Sequence, residues 1–79
     1  MMNLQSVISG QNQVKQARDS FFREFDGAMK LANRREDGPQ FQQHVARMEE
    51  HGNAAGIAAN EIAYRRQTLL YSLTQGNRR

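Results

Sequence analysis

From Phe41 to Leu73 apolar or small residues return at steps that alternate strictly between four and three: Phe41, Val45, Met48, Gly52, Ala55, Ala59, Ile62, Arg66, Leu69 and Leu73. Only Arg66 breaks the pattern of residue type. A repeat of 3.5 residues is that of a helix packed along a coiled-coil-like seam. At about 1.5 Å per residue such a helix spans about 50 Å. Half of a 79-residue chain cannot wrap it; an antiparallel partner helix can line it.

That partner lies upstream. Val14, Ala17, Phe21, Phe25, Ala28 and Ala32 mark one helical face, which Phe22 and Met29 widen. Lys15–Asp19, Asp19–Arg23 and Asp26–Lys30 are spaced i,i+4 and mark a solvated side. Near the start, Leu4, Val7 and Ile8 have helical spacing, followed by the weak helix formers Ser9-Gly10-Gln11-Asn12. Either the first helix begins near Leu4 and tolerates Gly10, or a short N-terminal turn precedes a helix capped near Asn12. The seam favours the first alternative.

Glu36-Asp37-Gly38-Pro39 reads as the connection. Gly38 can take a positive φ, Pro39 suits the first turn of a helix, and Asp37 is placed to cap it. A loop this short makes two long helices antiparallel neighbours. The pattern thus predicts a single all-α domain, an antiparallel two-helix hairpin, with a helix over about 4–35, a turn at 36–39, a helix over about 40–74 and a basic tail at 75–79.

Folding the chain at the turn pairs the seam with Leu4, Val7, Gln11, Val14, Arg18, Phe21, Phe25, Ala28, Ala32 and Arg35, whose steps also alternate three and four. Bulky Phe21 and Phe25 then fall opposite small Ala55 and Gly52, and Gln11 falls opposite Arg66. Gly52 and Gly56 form a Gly-x-x-x-Gly pair in a run of small residues, which permits close approach at a cost of about 1 kcal/mol of helix stability per glycine.

One antiparallel helix covers a stripe of about 100°. The second helix is apolar over more than that, since Ile57, Tyr64 and Tyr71 recur every seven residues beside Ala63 and Leu70. Helically spaced apolar positions left over in this way point to a protein interface. The expected partner-binding residues are Phe22, Met29, Ile57, Tyr64, Leu70 and Tyr71. A homodimer of the isolated chain would hide the same stripe.

Composition removes other readings. There is no cysteine, hence no disulfide framework and no thiolate metal site. His44 and His51 stand seven apart without a third ligand at metal spacing. No nucleophile–base set, phosphate loop or paired carboxylate on one helix face is present, so the expectation is a non-enzyme without cofactor or metal. No stretch approaches the apolar length of a membrane span, and no signal peptide is visible. The net charge of +3 is interspersed. The doublets Arg34-Arg35, Arg65-Arg66 and Arg78-Arg79 do not fall on one stripe, so nucleic acid is not indicated.

The turn reads Asp37-Gly38-Pro39-Gln40-Phe41-Gln42-Gln43 into the second helix, and the chain continues through an alanine-rich middle to Ile62-Ala63-Tyr64-Arg65-Arg66. This resembles the small helical-hairpin co-chaperones of type III secretion needle subunits, over roughly half of the chain. The resemblance implies a bacterial cytoplasmic protein that pairs with a larger tetratricopeptide-type chaperone and keeps the needle subunit from polymerising before export. The apolar stripe would then be the chaperone-binding surface. Two other hairpin roles fit the same pattern less well. A needle or filament subunit would usually end in an apolar segment, whereas this chain ends Gln75-Gly76-Asn77-Arg78-Arg79. A dimeric RNA-binding hairpin would need its basic residues gathered on one face.

Overall fold

The computed structural model describes residues 4–75, with side chains from Gly10 onward. The described residues are all helical, and they form three helices rather than two: α1 (Leu4–Asn33), α2 (Pro39–Ala54) and α3 (Ala59–Gln75). α1 runs unbroken through Gly10.

Each break is a backbone motif that satisfies the carbonyls a helix leaves open at its end. Past α1, the Glu36 N–H donates to the Leu31 carbonyl (2.9 Å) and the Arg35 N–H to the Ala32 carbonyl (2.9 Å). Arg35 is left-handed, with φ 59°. This is the Schellman ending, in which one residue reverses the backbone and two N–H groups cap the last turn. The positive φ expected at Gly38 falls on Arg35 instead. Gly38 is extended (φ −75°, ψ −165°) and serves as N-cap of α2 with Pro39 at the first position. No side chain caps α2, so Asp37 does not play that part.

The second break overturns the continuous helix over 40–74. The Ile57 N–H donates to the Gly52 carbonyl (2.9 Å) and the Gly56 N–H to the Asn53 carbonyl (3.1 Å). Gly56 has φ 72°, a conformation that glycine adopts without the Cβ clash other residues meet. The same ending therefore closes α2, and the Ala58 carbonyl accepts from the N–H groups of Glu61 (3.0 Å) and Ile62 (3.1 Å) to open α3.

The reversal folds α3 back. Arg66 Nη1 donates to Glu49 Oε1 (2.9 Å), and Arg35 Nη2 donates to the Gln75 carbonyl (3.0 Å). The end of α3 therefore sits beside the end of α1, so α3 runs antiparallel to α2 and parallel to α1. The fold is a three-helix bundle, up, down and up. Its core comprises Phe21, Ala28, Ala32, Phe41, Met48, Ile62 and Leu69, with Phe25, Met29, Leu31, Val45, Ile57 and Leu73 packed against it.

Most of these are seam positions, but their partners differ from those a straight hairpin would give. Phe21 lies on Gly52, one turn away from the expected Ala55. A Cβ at Gly52 would stand 2.9 Å from the Phe21 ring and 3.0 Å from Ile62 Cδ1. At that point all three helices meet, and only a hydrogen fits. Arg66 pairs with Glu49 and not with Gln11, which is exposed. Leu69 is buried in the core and Leu73 is packed against it. The other members of their expected layers, Leu4 and Val7, lie outside the described side chains.

With Phe21 opposite Gly52, α2 ends about one turn further on. The N-terminal part of α1, up to about residue 16, therefore extends past the bundle. Every residue from Gly10 to Gln16 is exposed. The extents of 59 × 21 × 19 Å and the radius of gyration of 15.2 Å reflect this overhang; a compact chain of this length would have a radius near 12 Å.

Candidate protein-interaction face

On α3, Ile62 and Leu69 set the buried side. Tyr64 and Tyr71 each follow a buried residue by two positions, about 200° around the helix. They therefore point away from the bundle, 64% and 68% exposed. Leu70, about 100° from Leu69, is 49% exposed. Two phenol rings one heptad apart and a leucine thus stand on the outer side of α3, among the exposed polar residues Gln67, Thr74 and Gln75.

Phe22 lies on α1 and is 40% exposed. Its ring stands edge-on to that of Phe21, 5.2 Å between centroids and 74° between planes. The Arg65 guanidinium lies over Phe22 at 5.2 Å and over Phe25 at 4.8 Å, while its Nε donates to Glu61 Oε1 at 3.1 Å. Arg65 thus binds α3 to α1 through two ring faces, each contributing about 0.5–1 kcal/mol at a partly exposed site. The remaining surface of Phe22 is bare.

Two of the six expected partner residues are half-buried in the bundle. Met29 is half-buried, and its Sδ accepts from Ser72 Oγ at 3.8 Å. Ile57 is half-buried just past the end of α2, packed against the core. The arrangement thus groups Tyr64, Leu70 and Tyr71 on one helix, sets Phe22 beside that helix through Arg65, and turns Met29 and Ile57 inward.

Sequence reasoning missed the use of the Arg65-Arg66 doublet. Arg65 reaches α1, and Arg66 reaches Glu49 on α2. Adjacent helix residues point about 100° apart, which is how one doublet spans two grooves. A second cluster joins α1 and α2: His44 Nδ1 lies 2.9 Å from Glu24 Oε1, with Arg47 at 4.0 Å from Glu24 Oε2. The His44 ring lies against Gly27, where a Cβ would stand 2.8 Å from it. His44 therefore acts within the helix packing. Arg34 and Arg35 are exposed at the loop, while Arg78 and Arg79 lie outside the described residues.

Among the described residues no helix is long and apolar enough to cross a membrane. In comparisons with protein-family models, curated proteins and solved structures, none matched the chain.

Proposed function

We propose that this chain is a non-enzymatic co-chaperone of bacterial type III secretion, working in the cytoplasm. It pairs with a larger tetratricopeptide-type chaperone, and the pair shields the needle subunit before export. The observation that carries this reading is the outer side of α3, where Tyr64, Leu70 and Tyr71 present large apolar surface without a covering helix. Aromatic side chains with a polar tip are favoured at protein interfaces because they desolvate cheaply and retain a hydrogen-bonding group. The Tyr64-Arg65-Arg66 stretch, which carries part of the resemblance, divides its work accordingly: the arginines fasten the bundle and the tyrosine faces out. A small domain with a modest core also gains stability by mass action when a partner covers such a face.

The test is coexpression of the tagged chain with the needle subunit and tetratricopeptide-type chaperone of the same source. The wild type is expected to co-purify with both. The double variant Tyr64→Glu, Tyr71→Glu is expected to lose them while its helical circular dichroism is unchanged. Retention of the partners by the variant would reject this face, and no complex with the wild type would reject the function.

A further inference from the structure

The packing of one copy leaves the α1 overhang exposed at every described side chain, Gly10 to Gln16. The core stripe of α1, Ala28 and Phe21, continues seven residues upstream to Val14, which is 42% exposed. The overhang is about 20 Å long and α3, with 17 residues, about 26 Å. We propose that a second copy of this chain covers the overhang, bound by exchange of α3. The bend at Ala55–Ala58 straightens, α2 and α3 join into one rod, and each α3 docks on the α1–α2 pair of the other copy.

Three observations carry this. First, the heptad phase runs through the bend without a slip: Gly52, Ala55, Ala59 and Ile62 keep steps of three and four. A straight helix through 55–58 would leave the stripes of α2 and α3 in register, and Ala55, Ala58 and Ala59 are the best of helix formers. Only Gly56 departs from helical geometry in φ sign. Second, α3 is lightly held. Ile62 and Leu69 are its buried residues, its ties through Arg65 and Arg66 lie at the surface and re-form on a second copy, and Ala58, whose carbonyl opens it, offers no capping side chain. Third, with Gly52 against Phe21, a straightened α3 runs along the overhang of its own copy, bringing Ala59 level with Val14 and the Ile62 turn level with Gln11.

Exchange of identical elements conserves contacts. On the second copy α3 meets the same Phe21, Phe25, Met29 and Gly52 surfaces it leaves on its own. The overhang then becomes the fourth helix around that core. A single copy that straightened alone would bare Phe21 and the rest of that surface, so the second copy is the favoured occupant.

The chain has no cysteine, so the contact between Met29 and Ser72 can be turned into a reporter. The variant Met29→Cys, Ser72→Cys is refolded across a range of concentrations, sized by sedimentation, oxidised and run on a denaturing gel. The expected result is a dimer fraction that rises with concentration and is trapped as a covalent dimer. Gly56→Ala, which removes the left-handed preference and favours the straight helix, is expected to tighten the dimer tenfold or more. A monomer at every concentration would overturn the proposal. So would a dimer whose cross-links stay within each chain. The experiment contains no secretion partner, so its outcome is independent of the co-chaperone reading.

Discussion

Gly52 and Arg35 show opposite relations between a side chain and the backbone position it occupies. At Gly52 the Phe21 ring and Ile62 come within 2.9–3.0 Å of where a Cβ would stand, closer than van der Waals contact allows. Alanine there would gain about 1 kcal/mol of helix propensity, but overpacking a closed core costs about 1–3 kcal/mol. The ring of Phe21, fully buried, has little room to give. Gly52→Ala is therefore expected to lower stability by about 1 kcal/mol in chemical denaturation; a more stable variant would mean that Phe21 is not held against α2. Arg35 is the reverse case, a bulky residue in the left-handed conformation. Its guanidinium bond to the Gln75 carbonyl is exposed and contributes little. Arg35→Gly is expected to raise the melting temperature by a few degrees, corresponding to about 0.5–1 kcal/mol. A lower melting temperature would show that the bond across to α3 outweighs the backbone strain.

The helices differ in how much of each is committed to the bundle. α2 lies within it along its whole length, with Phe41, Met48 and Gly52 buried. Among the described side chains α1 contributes from about Ala17 onward, and the exposed residues from Gly10 to Gln16 add helix without core. Removal of residues 2–13 is accordingly expected to leave the melting temperature of the single copy, measured in dilute solution, within a few degrees of the full chain. A large fall would place those turns against the bundle. The seam was readable at this level because burial leaves a period in the sequence: Phe41, Met48, Gly52, Ala55, Ile62 and Leu69 were picked out by spacing and all are buried. The bend was not readable, because the bundle and the straight rod need the same stripe on α2 and α3. What separates them is the single φ of Gly56. In the sequence that glycine reads equally well as one half of a close-approach pair, and the structure gives the two glycines different tasks. The exposed face was partly readable for a related reason. Tyr64, Leu70 and Tyr71 stand off the seam of their own helix and remain outside. Met29 and Ile57 also stand off it, but α3 folds over the first and the chain reversal packs the second.

The consequence for the molecule as a whole is a short bundle with a projecting arm, in place of a uniform two-helix rod. A rod would have left one whole side of both helices bare. The bundle spends part of that side on α3, and among the described side chains the uncovered large apolar residues are those on the outer side of α3, Phe22 on its flank, and Val14 on the arm. The direction of α3 decides which of these surfaces exists. It is measured most directly with spin labels at Asn33→Cys and Thr74→Cys, both exposed positions in a chain without native cysteine, in dilute solution. In the bundle the two sites lie at the same end, on neighbouring helices whose axes are about 8–10 Å apart, and the labels should report a separation of roughly 10–25 Å. A single long distance of about 45 Å, from a Thr74 label opposite the start of α1, would contradict the fold and with it the interaction face.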